Sequence, residues 1–237
     1  MTVGFFGKVR SHGDFVSRRL PPEMVQPFDA WIQAWLVQSK LELGADWLPV
    51  WSSSPLWRFV LAPGVCGPQA WTGVMMPSAD RVGRCFPLVL AASLAEAPSL
   101  RECVWDRAAW HAQLEELALS SLEEGFFVDA FDVALEALDA LPPPAVAAAC
   151  SVAQGSALVI ALCNACIPES ADAGLAGQSV WWTDGSCDVA PCLAICMGLP
   201  ATASAVALLD GRWLERGWQI AYASNAYAAA HSMLMQC

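Results

Sequence analysis

Positive charge is scarce in this chain. Its 237 residues include 12 Lys and Arg against 23 Asp and Glu. The shortage is uneven: residues 120–237 hold two basic side chains and twelve acidic ones, whereas residues 1–119 hold ten and eleven. A nucleic-acid interface needs a basic face to neutralise phosphates, and the second half has none to offer. An anionic membrane surface is disfavoured for the same reason, while a basic partner is compatible. Other absences exclude whole classes of chemistry. No phosphate-binding Gly-rich loop of the Walker or Gly-x-Gly-x-x-Gly type is present, so nothing points to a nucleotide or another cofactor. No Gly-x-Ser-x-Gly elbow is present either. Of three histidines, His111 and His231 stand alone on helical segments, without metal spacing, and read as structural or surface residues. The N-terminus lacks a basic stretch followed by an apolar run, so no secretory signal is read and a cytoplasmic location is expected.

Apolar residues are abundant. They make up 56% of the chain, against 15% charged, which excludes disorder over most of the length. Twelve tryptophans are many for this size, and some are expected in the core and some at a partner surface. Ten cysteines raise the question of zinc or disulfides. Cys163-x2-Cys166 and Cys192-x3-Cys196 have metal-like spacing. However, Cys192 and Cys196 lie in an apolar run that reads as a buried strand, so the thiols are read as reduced, metal-free core groups. The uncharged stretch 140–168 is long enough to cross a bilayer. Pro142–Pro144 and Gln154-Gly155-Ser156 interrupt it, and it is read instead as an Ala-rich helix near Ala145–Ala153 and a buried strand at Ala157–Leu162. No integral membrane segment is expected.

Periodicity orders the rest. Val3–Phe6 is apolar on both faces, as a strand covered by two helix layers requires, and it is expected to be central or paired on both sides. Pro22–Leu43 reads as a helix that opens at Pro21-Pro22 and stops at Gly44, with Trp31, Trp35 and Ile32, Leu36 forming an apolar stripe. Trp57–Leu61, Ala70–Met75 and Phe86–Ala92 read as antiparallel strands joined by short loops. Ser99 caps a helical run to about Leu119, with Glu102 as capping-box partner. A second helix covers Phe131–Leu141, and strands return at Val180–Thr183 and Leu193–Met197. Ala203–Leu209 and Trp213–Gln219 read as short helices or turns, and Ala221–Met235 as Ala-rich helix. Helices between two groups of strands imply a mixed sheet covered on both faces.

Two polar loops stand out. Ser11-His12-Gly13-Asp14 follows the first strand and precedes Arg18 and Arg19. Ser, His and Asp are the residue types of a hydrolytic triad, yet three of them within four positions rarely converge. The turn reads as a loop fixed by side-chain bonds to backbone, with catalysis and partner contact as alternatives. The second loop is Ser78-Ala79-Asp80-Arg81-Val82-Gly83-Arg84. Asp80 has Arg18, Arg81 and Arg84 as candidate partners, either in an ion-pair network joining the loops or at a surface for an anion or a partner protein. Ser11, His12, Asp14, Arg18, Asp80, Arg81 and Arg84 are therefore the candidate partner- or anion-binding residues. No catalytic or metal-ligating residue is assigned. Asp184-Gly185-Ser186-Cys187-Asp188 lacks the length and terminal Glu of a calcium loop and reads as a polar turn.

Gly4-Phe5-Phe6-Gly7-Lys8 and Ser11-His12-Gly13-Asp14-Phe15-Val16 resemble the opening of the TagF/ImpM family of type VI secretion accessory proteins. Ser54–Phe59, Pro63–Gly67, Trp71–Val74, Met76–Arg84 and Phe86-Pro87-Leu88 resemble its middle. The likeness is dense over residues 1–92 and returns at Ser179–Gly185 and Gly198-Leu199-Pro200. Val9-Arg10 departs from it, standing where Leu-Pro is typical. The resemblance implies a three-layer α/β/α sandwich, and we expect one compact domain over 1–237 with a sub-boundary near 142–144. It also implies a bacterial, non-enzymatic, cytoplasmic regulator, a post-translational repressor of type VI secretion assembly that acts by protein–protein interaction. The partner implied is the forkhead-associated scaffold protein of that system. The alternative from another class is an enzyme using His12, Asp14 and the arginines on a small anionic substrate.

One outcome follows from the cysteine reading. Thiol titration of protein purified without reductant and then unfolded in denaturant should count ten free thiols, and elemental analysis of the native protein should find no stoichiometric zinc. Paired cysteines or bound zinc would overturn it.

Overall fold

The computed structural model of the protein describes residues 2–95, 99–100, 102–138, 159–163 and 175–221. The expected helix at Ala145–Ala153, most of the helix at Ala221–Met235, and the boundary at 142–144 lie outside the described residues. In chain order the elements are β1 (Gly4–Gly7), β2 (Val16–Arg18), α1 (Pro22–Leu43), a 3-10 turn (Gly44–Asp46), α2 (Trp47–Ser53), β3 (Trp57–Leu61), β4 (Ala70–Met76), β5 (Leu88–Leu94), a π-turn (Glu102–Asp106), α3 (Ala108–Ser120), α4 (Val128–Ala137), β6 (Val159–Cys163), β7 (Gln178–Thr183), β8 (Cys192–Met197), α5 (Thr202–Ala205), α6 (Ala207–Asp210) and β9 (Gln219–Ala221). Among the described residues no helix is long and apolar enough to cross a membrane.

Among the described residues nine strands form one sheet in the order β2-β1-β5-β4-β3-β7-β8-β6-β9. Every pairing is antiparallel except β6 with β8. The first strand is hydrogen-bonded on both sides, to β2 and to β5, as expected, and Phe5 and Phe6 enter opposite cores. β3, β4 and β5 form the expected antiparallel meander. Gly73 is required where β4 crosses β5, because a Cβ there would stand 1.9 Å from the Leu90 carbonyl oxygen.

Side chains alternate between the two faces. Phe6, Trp57, Phe59, Leu61, Trp71, Met75, Val89, Ala91, Trp181, Cys192, Ala194 and Cys196 join one core with α1, α2, α5 and α6. Phe5, Val74, Met76, Leu88 and Leu90 face the other way and pack with α3 and α4. Val60, Val180, Trp182, Leu193 and Ile195 continue that second side around Leu175.

The first core is an aromatic layer. Phe28 of α1 has its ring 5.7 Å from Trp31, 5.4 Å from Phe59, 6.0 Å from Phe6 and 6.1 Å from Trp181. Trp31 stacks on Trp35, and Trp47 on Trp51. Buried indole N–H groups need acceptors. Trp31 donates to the Pro200 carbonyl at 2.7 Å, Trp35 to Ala205 at 2.9 Å and Trp57 to Leu208 at 3.0 Å. Three tryptophans from α1 and β3 thus hold the 200–208 segment.

Four elements differ from the sequence reading. Ser99 and Glu102 do form the capping box, each accepting from the other's backbone amide. The run they open is a π-turn, however, and α3 starts afresh at Ala108. β2 and α2 were not anticipated, and β9 begins where a turn was expected.

Phe28→Ala should lower unfolding stability by about 3–5 kcal/mol, the usual loss for removing a buried aromatic. Urea denaturation measures it, and a loss below about 1 kcal/mol would mean the layer does not depend on this ring.

Candidate functional site

The two polar loops meet at one end of β1 and β5. β1 runs into Lys8 and the 10–14 turn, and the 78–86 loop leads into β5. Because β1 and β5 pair, with Gly7 opposite Leu88, the loops are neighbours. The Arg81 amide donates to the His12 carbonyl at 2.9 Å, and an Arg84 Nη2 proton reaches the Gly13 carbonyl.

Asp80 organises this junction. Its side chain is fully buried, so it is a structural residue and not the surface contact the sequence left open. One carboxylate oxygen accepts the Val82 amide at 3.0 Å and the Arg84 amide at 2.9 Å. The other accepts Lys8 Nζ at 3.1 Å and Arg84 Nε at 2.6 Å. Burial alone would raise this carboxyl; the Arg84 amide, Lys8, the Arg84 guanidinium and the Val82 amide together outweigh it and hold it well below the usual carboxylate range. Of the three arginines considered as its partners, only Arg84 is one. The second is Lys8, which the sequence reading missed. Its signal was a cation at the end of an otherwise apolar strand. Gly83 closes the turn with φ +84°, and its amide donates to the Asp80 carbonyl.

Arg18 is elsewhere. It belongs to β2 and lies 3.9 Å from Asp132 and 4.0 Å from Asp129 of α4. Arg19 pairs with Asp132 and Glu136 and donates from Nε to the Val3 carbonyl at 2.8 Å. It does so in a left-handed conformation, φ +58°, which costs about 1–2 kcal/mol and is offset by these bonds.

The Ser11, His12 and Asp14 side chains are exposed. Ser11 Oγ is 2.8 Å from His12 Nδ1, but Asp14 accepts from the Phe15 amide at 2.8 Å rather than orienting the imidazole. This geometry lacks the third member of a nucleophile–base–acid relay.

Two neighbours were invisible in the sequence. Phe15 is half exposed; its ring meets Phe86 edge-on at 4.8 Å and carries Lys8 Nζ 5.1 Å above it. Val82 is exposed at the turn tip.

A second polar group lies on the α3 side of the sheet. Arg58 bonds Glu115 at 2.7 Å and Asp184 at 2.6 Å. Burial pulls the guanidinium down, but these partners outweigh it and its pKa is raised. His111 is buried between Thr72, at 2.9 Å, and the Arg107 carbonyl, at 3.0 Å. Burial, reinforced by Arg58 and Arg107, pushes it down to about 3, so it is neutral at ordinary pH. Burial likewise pushes the Cys66 and Cys192 thiols up to about 12. Among the described residues no group of His, Cys, Asp and Glu is arranged to hold a metal ion.

Residues 4–138, more than half the chain and including both loops, match the model of the TagF N-terminal domain, type VI secretion system-associated. The chain belongs to the TagF family. A likeness to a solved structure extends beyond that domain: the crystal structure of PA0076 from Pseudomonas aeruginosa PAO1 is 39% identical, with a TM-score of 0.74 over 89% of this chain and 95% of that one. A search of curated proteins found no match. The loops around Asp80 and His12, both within that match, are thus neighbours in three dimensions.

Asp80→Asn should lower the melting temperature at neutral pH, since Lys8 would then lack its buried counter-charge. The pH dependence has a definite sign. The folded pKa lies below the unfolded one, so the stabilisation is complete above about pH 4 and is lost as pH falls towards the folded pKa. Thermal melts of the wild type should therefore decline more steeply than those of Asp80→Asn below about pH 4. Parallel curves would show that the carboxylate contributes nothing.

Proposed function

We propose that this TagF protein is a non-enzymatic regulator that restrains type VI secretion assembly after translation, in the cytoplasm, by binding another protein. The partner in this reading is the forkhead-associated scaffold protein of the system. The match over residues 4–138 carries the reading. Two further observations support it: Asp14 and Asp80 are engaged by groups of the two loops, and among the described residues no acid bonds His12 to complete a relay with Ser11. The same reading takes 1–237 as one domain, a three-layer α/β/α sandwich. It is supported by the helices that pack against each face of the sheet.

Deleting the gene should raise type VI effector release, and overproduction should lower it. The purified protein should retain purified scaffold protein on a column. Unchanged secretion together with no retention would end the proposal. His12→Ala should keep full regulatory activity; its loss in a variant with an unchanged melting temperature would revive the enzyme alternative.

A further inference from the structure

The joined loops leave a compact positive spot on an acidic protein. Lys8, Arg10, Arg81 and Arg84 face only Asp14 and Asp80 in these segments, a formal charge of +2 within a chain of −11. Two guanidinium groups converge on one residue. Arg84 donates to the Gly13 carbonyl, and Arg81 Nη2 lies 3.7 Å from the point where a Gly13 Cβ would stand. Like charges repel, and Asp80, buried beneath, already accepts four donors. Among the described residues Arg10 and Arg81 make no ion pair, and Arg84 is 62% exposed. Beside these cations stand two exposed apolar groups held in place. Phe15 is fixed by Phe86 and Lys8, and Val82 by the bond from its amide to Asp80.

From this we infer that the rim formed by Arg10, Phe15, Arg81, Val82 and Arg84 is the docking surface for an extended acidic segment of a partner protein carrying an apolar side chain. The inference rests on the protein–protein reading above and names the surface and the chemistry of its occupant. Guanidinium forks take carboxylates in pairs of hydrogen bonds, and a rigid aromatic beside them supplies an anchor at small entropic cost. Charge complementarity selects the occupant, since a positive spot on an acidic body steers acidic segments to one place. A nucleic acid fits less well. Its closely spaced phosphates need a longer basic track, and the acidic face of α4, with Asp129, Asp132 and Glu136, already takes up Arg18 and Arg19.

The test uses the full chain and a fluorescein-labelled peptide, Glu-Asp-Leu-Glu-Asp-Phe-Glu-Asp, read by anisotropy. Wild type should bind it, more weakly as salt rises. Arg81→Glu and Val82→Ser, at exposed side chains with no bond in the fold, should each weaken binding about tenfold or more at an unchanged melting temperature. Arg212→Glu, the same charge change on an exposed arginine outside these loops, should leave binding within about twofold. Absent binding by wild type, equal binding by Arg81→Glu, or an equal loss in Arg212→Glu would overturn the inference. Purified scaffold protein separates the two readings. Peptide binding at the rim without scaffold binding supports this surface and removes the scaffold as partner. Scaffold binding that Arg81→Glu leaves intact removes the surface and keeps the partner.

Discussion

A single buried carboxylate holds the two polar loops of this protein together. Asp80 is removed from water, a change unfavourable for an ionised group unless its oxygens are fully engaged. Four donors engage them, two from the backbone of its own turn and two from side chains. The consequence is geometric as much as energetic. Lys8 belongs to the chain leaving β1 and Asp80 to the chain entering β5, so their contact fixes one loop against the other. Everything on the rim depends on that fixation: the Arg81 amide on His12, the Arg84 fork on Gly13, and the seat of Phe15 against Phe86.

The opposite problem, joining distant parts of the chain, is solved on the other face by indoles. α1 supplies Trp31 and Trp35, and β3 supplies Trp57. Each donates its one N–H to a carbonyl at least 150 residues later. An apolar ring fills the core while its polar edge satisfies a backbone acceptor at the start or end of a short helix. Helices as short as α5 and α6, four residues each, have little stability of their own. Their placement comes from the tryptophans above them.

What the sequence disclosed follows from the length and regularity of each element. α1 was legible to the residue because Pro21-Pro22 and Gly44 punctuate it and the Trp31, Trp35 stripe repeats for several turns. The β3–β5 meander was legible because apolar runs alternate with short polar loops. β2 and β9, three residues each, fall below the reach of periodicity, and α2 carries Pro49 and two serines that read as loop. In the candidate site, the residue types were visible but not their partners. Arg18 and Arg81 look alike in sequence; one reaches α4 and the other the His12 turn. That difference is set by strand pairing more than 60 residues away in sequence, which no local pattern encodes. The sequence left open whether the two loops share a rim, and the β1–β5 pairing brings them together.

The stacked indoles have an optical consequence. Trp31 and Trp35 lie 5.5 Å apart at an interplanar angle of 11°, and Trp47 and Trp51 lie 5.5 Å apart at 16°. Chromophores this close share their electronic excitation, so their near-ultraviolet absorption belongs to pairs rather than to single rings. Each pair lies four residues apart on a single helix, so its near-ultraviolet circular dichroism requires that helix to be formed and both rings to be held in one rotamer by the core.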